Sequence, residues 1–442
     1  MTNPFTPGSF SWIGGIEDTC VYPPLESGML PLDEYELTEH SVHWQADLRA
    51  VCEMGGTSVR YGVNWPLVHI GPNEFDWTVL DERLRYAGDE LGLTVIADLV
   101  HYGTPTWLRN SFADPEYPEA IAKFAGAFAG RYRGMVDHIT PLNEPLTTAS
   151  FCGLRGVWPP ALTGWDGWTT VMLGIVSGIS STIAAVRAAN PEAIIVHVEA
   201  ATLYQTAESD LEDHARQLSS LGMLPTDLLL GRVDPTHEMY EWLIDNGADP
   251  VQLDSMRTNV PVIDLLGVNY YPDLSPRTLT QSDGIVSQVA TNLGEAGLSQ
   301  SLARFAERYG LPMMITETSI EGDDATRTNW LNDSAQRVKE LRADGMDLRG
   351  YTWWPIMDFV DWSYASAGRN VEEFLVDDAI ISARSSSATS QLGDRRKTPF
   401  LRRMGLIRLE EGEDGHLARV PTSAALRFAE LAVGIPVVKA DA

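Results

Sequence analysis

DERLRYAGDELGLTVIADLVHYG (81–103) changes period half-way along. Leu84, Ala87 and Leu91 recur at intervals of three and four, the repeat of an amphipathic helix. From Thr94 onward the stretch becomes a short β-rich apolar run that stops at His101 and Tyr102. A helix feeding a strand is one unit of an alternating α/β chain, and the same unit recurs throughout. Similar runs are FSWIGGIE (10–17), SVRYGVNW (58–65), VDHITPLNEP (136–145), AIIVHVEA (193–200), VIDLLGVNYY (262–271), PMMITETS (312–319) and RGYTWWPIMD (349–358). Longer helix-like segments such as PEAIAKFAGAFAGRY (118–132) lie between them. Alternation of this kind implies parallel pairing, and eight strand-helix units imply a closed (β/α)8 TIM barrel. An open doubly wound sheet would carry a Gly-rich phosphate loop after its first strand, and neither GxGxxG nor GxxxxGK[ST] occurs.

The reading is one catalytic domain over residues 1–442. Residues 364–403, which include the Ser-rich RSSSATSQLGDRRK (384–397), form an irregular insertion placed near the mouth of the site. The net charge of −29 disfavours nucleic acid and anionic membranes as partners. A neutral or cationic substrate fits better than a polyanion, and a homo-oligomer is compatible with the sequence. Cys20, Cys52 and Cys152 have no metal-ligand spacing, and the sparse, odd count fits reduced thiols. The start of the chain shows no basic-then-apolar leader, and no uncharged run of about 18 apolar residues stands out. The expectation is a cytoplasmic protein. The His residues are scattered without HExxH spacing, so no metal and no cofactor are expected.

Active sites of such barrels lie at the C-terminal ends of the strands. Those ends carry, in chain order, Glu17, Arg60, His101, Asn143 with Glu144, Glu199, Asn269 with Tyr271, Glu317, and Trp354 followed by Asp361 and Trp362. Taken singly, His101 reads as a core histidine, Asp361 as a helix cap and Glu199 as a buried structural partner. Together they read as one rim. Glu144 and Glu317 are distant in sequence, yet the fold brings strands four and seven to one cavity. Two carboxylates with different proton affinities suit cleavage of a glycosidic bond. Arg60 and the Tyr271 hydroxyl are placed to hold Glu317 ionised. Asn143 is a candidate for the sugar 2-hydroxyl, and Trp158, Trp354 and Trp362 offer flat apolar faces.

ITPLNEP (139–145) resembles the acid/base motif of glycoside hydrolase family 1, the β-glucosidase family, and ITETS (315–319) resembles its nucleophile motif. SVRYGVNWP (58–66), DLVHYGTP (98–105), DLLGVNYY (264–271) and GYTWWPIMDFVDW (350–362) are similar to further family segments, in order along nearly the whole chain. The resemblance implies Glu144 as acid/base and Glu317 as nucleophile, steadied by Arg60 and Tyr271. It implies that His101, Asn143, Trp354 and Asp361 bind the sugar, with Glu17, Asn269 and Trp362 as further substrate-binding candidates. Three departures stand out. GGIEDT (14–19) offers Glu17 where the family has a Gln, Asp361 replaces a Glu, and Thr318-Ser319 replaces Asn-Gly. The expected activity is that of a retaining exo-β-glycosidase releasing a terminal non-reducing sugar from a small-molecule glycoside or oligosaccharide. Transfer to a sugar acceptor and a non-catalytic sugar-binding barrel are the alternatives.

Overall fold

Every predicted apolar run contributes a strand. The structure, a computed structural model, describes residues 3–365 and 396–434. The strands are β1 (Ser11–Gly15), β2 (Ser58–Gly62), β3 (Thr94–Asp98), β4 (His138–Thr140), β5 (Ile194–Ala200), β6 (Leu265–Asn269), β7 (Met313–Thr318) and β8 (Leu348–Trp353). Each pairs in parallel with the next, and β8 closes on β1. Eight parallel strands closed this way are the (β/α)8 barrel the periodicity predicts.

Burial explains the composition of the strands. Ile13, Ile96, Val196, Val198, Leu265 and Met314 meet inside the barrel, with Phe5 packed against them. Alternate residues such as Val59, Val95 and Ile195 face outward into the layer between strands and helices. Inward alternation also carries Arg60 and Asp98 toward the axis, above the apolar filling.

The outer ring includes α1 (His40–Glu53), α2 (Thr78–Arg85), α3 (Tyr117–Arg131), α4 (Gly164–Ala189), α5 (Glu212–Leu221), α6 (Gly294–Tyr309), α7 (Asp324–Ala343) and α8 (Ser423–Ala432). One expectation needs correction here. By length and composition α4 is apolar enough to cross a membrane. Its Val171, Ile175, Ile179, Ile183 and Val186 are buried, and it packs along α3. A core helix apolar on most of its circumference reads like a span until its neighbours are known.

Most of the Ser-rich insertion, residues 366–395, lies outside the described residues. Its flanks are described. Phe359–Val360 pairs antiparallel with Leu401–Arg402, and a hairpin of Ile407–Glu411 with Leu417–Pro421 follows.

Candidate active site

The chain leaves β4 through Pro141, Leu142 and Asn143, and Glu144 adopts φ 45° before Pro145 opens a short helix, Pro145–Ala149. Proline suits that first helical position. A non-glycine residue in the left-handed region is uncommon, and Tyr102, its hydrogen-bond partner, has φ 70°. Strain of this kind clusters at functional sites. Glu144 is held by neutral donors: Asn269 Nδ2 donates to Oε1 at 2.7 Å, while Tyr102 Oη and Thr147 Oγ1 donate to Oε2 at 2.9 and 2.7 Å.

Glu317 is held differently. The register of β7 against β6 shifts between Ile315 and Glu317, an irregularity that re-aims the strand end. Its Oε1 accepts from the Arg60 guanidinium, and Oε2 accepts from Tyr271 Oη at 2.7 Å. Arg60 also donates to Asp98 and, at 2.7 Å, to Asn143 Oδ1. Asn143 Nδ2 in turn donates to Tyr102 Oη at 2.9 Å. A continuous chain of hydrogen bonds thus runs from Glu317 through Arg60, Asn143 and Tyr102 to Glu144. Thr316 Oγ1 donates to Asn269 Oδ1 at 2.6 Å, which leaves the amide nitrogen for Glu144.

Burial pushes the Glu317 carboxyl up to about 8; the Arg60 guanidinium pulls it down and the charge of Glu144 adds to the rise. Glu317 accepts on both oxygens, from a cation and a phenol, whereas the described donors to Glu144 are neutral. The two carboxyls therefore sit in different electrostatic surroundings.

The floor of the cavity is Trp354. Its Nε1 donates to Glu17 Oε2 at 2.9 Å, and its ring lies parallel to His101, centroids 5.5 Å apart and 1° between planes. Arg60 stands over the same ring at 4.6 Å. Gly15 makes this possible, since a Cβ there would come within 2.0 Å of the Trp354 ring. Glu17 Oε1 accepts from the Thr19 hydroxyl at 2.6 Å. His101 Nδ1 sits 2.7 Å from Asp18 and 3.1 Å from Asp98. Burial works against charge on the imidazole, but these carboxylates prevail and raise its pKa well above the usual range. Burial in turn pushes Asp18 up to about 6 against the pull of His101. Asp18, Asp98 and His101 bring ligand-type atoms within 4.8 Å of one another. Arg60 already binds Asp98 and His101 binds Asp18, so these side chains neutralise the charge a metal ion would answer.

Of the predicted residues, Glu17, His101, Glu144, Asn269, Tyr271, Glu317, Trp354 and Trp362 line one cavity. Arg60 and Asn143 are wholly buried immediately behind it. Two expectations are corrected. Trp158 offers no face to a sugar: it is buried, stacked on Phe151 at 4.3 Å and set against Trp362 at 5.2 Å. Asp361 is not part of the lining; it caps a turn through Ser363 N at 2.9 Å and pairs with Arg402 at 3.1 Å. Its shorter side chain stays with its own turn, and Arg402 and Phe359 line the cavity instead. Glu199 is a buried structural partner, accepting from Ala200 N at 2.8 Å and Leu146 N at 3.4 Å. Sequence reasoning missed roles for Tyr102, Thr147, Asp18 and Asp98. Thr147 lies one helical turn after Glu144, and Asp98 shares the inward face of Ile96; both signals were available.

The family model described as Glycosyl hydrolase family 1 matches residues 278–371. A β-glucosidase of Agrobacterium sp. is 24% identical over 74% of this chain and 77% of its own. A bifunctional β-D-glucosidase/β-D-fucosidase of Bifidobacterium breve is 22% identical over 74% and 80%. These matches make the chain similar to glycosyl hydrolase family 1. The family model and the β-glucosidase relatives support a glycoside hydrolase acting on O-glycosyl bonds. In fold the chain is similar to the β-glucosidase of Thermotoga maritima solved in complex with azafagomine, with a TM-score of 0.78 at 16% identity, covering 99% of this chain and 100% of that one.

Proposed function

We propose that this chain is a retaining exo-β-glycosidase of the family 1 type that releases a terminal non-reducing sugar by double displacement. The observation that carries the proposal is the contrast between the two buried carboxylates of one cavity. Glu317 is bound by a guanidinium and a phenol, Glu144 by neutral donors alone. In the first step Glu144 gives its proton to the glycosidic oxygen while Glu317 attacks the anomeric carbon. The bond from that carbon to the leaving oxygen breaks, and the leaving group departs as an alcohol. In the second step Glu144, now ionised, takes a proton from water. The water oxygen displaces the Glu317 carboxylate, and the sugar leaves with its original configuration.

The sugar is held against Trp354 by Glu17, His101 and Asn269. Glu17 brings a negative acceptor where the family has a neutral amide, so the sugar preference departs from that of a typical β-glucosidase. Trapping with 2-deoxy-2-fluoro glycosides tests the mechanism. The expected result is a covalent adduct on Glu317 and, by NMR, a first-formed product with retained anomeric configuration. Inversion, or a label on another residue, would overturn it.

A further inference from the structure

Glu199 lies at the end of β5 and is wholly buried. Its neighbours Ala200 and Leu146 line the cavity, and Glu199 stands behind them. Val196 and Val198 fill the barrel interior, so strand alternation turns Glu199 to the opposite face, outward with Ile195. Its Oε1 accepts from Ala200 N at 2.8 Å and, over a longer 3.4 Å, from Leu146 N. Its Oε2 is buried with no partner among the described residues. A carboxyl in that setting favours its neutral form. Burial pushes it well above the usual carboxylate range; the Ala200 amide opposes the rise and the charge of Glu144 adds to it.

The Leu146 amide gives this acid its meaning. The first amides of a helix have no partner within it, and the side chain of the capping residue usually accepts from one of them. In Pro145–Ala149 the cap is Glu144, and its side chain makes no such bond. Pro145 has no amide hydrogen, so Leu146 N is the first donor that needs an acceptor. A bond from Leu146 N to the Glu144 carboxyl would draw that carboxyl back over the helix and out of the cavity. Glu199 accepts it from the neighbouring strand instead, and the Glu144 carboxyl is left to Asn269, Tyr102 and Thr147. A parallel bridge between Asn143 and Val198 holds the two segments side by side.

Resting on the glycosidase reading, we propose that Glu199 is a positioning residue for the acid/base: it caps the helix that Glu144 opens, in place of Glu144, and so aims the Glu144 proton at the leaving oxygen. As a neutral acid it sets no second negative charge behind Glu144 when that residue becomes ionised in the first step.

The test compares two β-glycosides of one sugar, chosen from an aryl-glycoside panel and assayed with the full-length protein. A 2,4-dinitrophenyl leaving group departs without protonation, whereas an alkyl one needs the proton of Glu144. For both, kcat/KM reports the first step alone. In Glu199→Met, which keeps the volume and removes the acceptor, kcat/KM for the alkyl glycoside should fall about 10²-fold while that for the dinitrophenyl glycoside stays within about threefold. Glu199→Gln, whose amide oxygen still accepts, should stay within about threefold of wild type on both substrates. Glu199→Asp, with its carboxyl drawn back by one methylene, takes the place of Glu199→Met should circular dichroism show that variant unfolded. Equal losses on the two substrates, or no loss on either, overturn the proposal, and so does a Glu199→Gln enzyme as impaired as Glu199→Met. Each of these leaves the glycosidase reading intact. If wild-type cleavage does not depend on Glu317, both fail.

Discussion

Trp354 donates its indole N–H to Glu17 at 2.9 Å, joining the end of β8 to the end of β1. The bond fixes the tilt of the ring, and the parallel contact with His101 and the Arg60 guanidinium hold its two sides. The surface on which a sugar would rest is therefore set by groups from β1, β2, β3 and β8 together.

Replacing Glu17 separates its two tasks. Glu17→Gln keeps an acceptor for the indole and removes the charge, so Trp354 should stay in place while the ranking among gluco, galacto and fuco substrates changes. Glu17→Ala removes both and should lower kcat/KM about 10- to 100-fold, the worth of a hydrogen bond to a charged group. Steady-state kinetics on an aryl-glycoside panel reads both effects.

Gly15→Ala would drive a methyl group into the Trp354 ring. The approach of 2.0 Å forces the ring or β1 to move. A displacement of about 1 Å in a positioning surface costs about 10²-fold in rate. We expect that loss in kcat/KM with a changed tryptophan fluorescence spectrum and an unchanged far-ultraviolet circular dichroism spectrum.

Glu317→Ala should abolish turnover, by a factor on the order of 10⁴ or more, and azide should restore part of it as a glycosyl azide. Rescue marks the loss as chemical rather than structural. Wild-type turnover in that variant would remove Glu317 from the mechanism.

The pH dependence of stability carries its own sign. Glu317 is raised from 4.5 to about 8 on folding, so the native state holds a proton that the unfolded chain releases earlier. That contribution is complete below the unfolded value and is lost as pH rises through about 8. Glu317→Gln cannot titrate. Its melting temperature relative to wild type should therefore climb between about pH 5 and pH 8, as read by scanning calorimetry.

The barrel was legible because a parallel sheet covered on both faces leaves a signature of short apolar runs, and β1 to β8 coincide with them. The proposed catalytic pair was legible because Asn143-Glu144-Pro145 and Thr316-Glu317 end such runs. Tyr102 was harder to assign, because nothing in His101-Tyr102-Gly103 announces a left-handed backbone that turns the phenol toward Glu144. Asp361 and Trp158 failed for a related reason. Their neighbours, Arg402 and Phe151, lie far from the strand ends that guided the reading, and tertiary contacts decided where each side chain turned.

One guanidinium on β2 touches Glu317 on β7, Asp98 on β3, Asn143 beyond β4 and the Trp354 ring beyond β8. A rim stitched together at a single node has little freedom to fray in pieces. Heat inactivation of this enzyme should accordingly coincide with global melting instead of preceding it, and lysine, with one compact ammonium, could not substitute for the arginine that enforces this all-or-none behaviour.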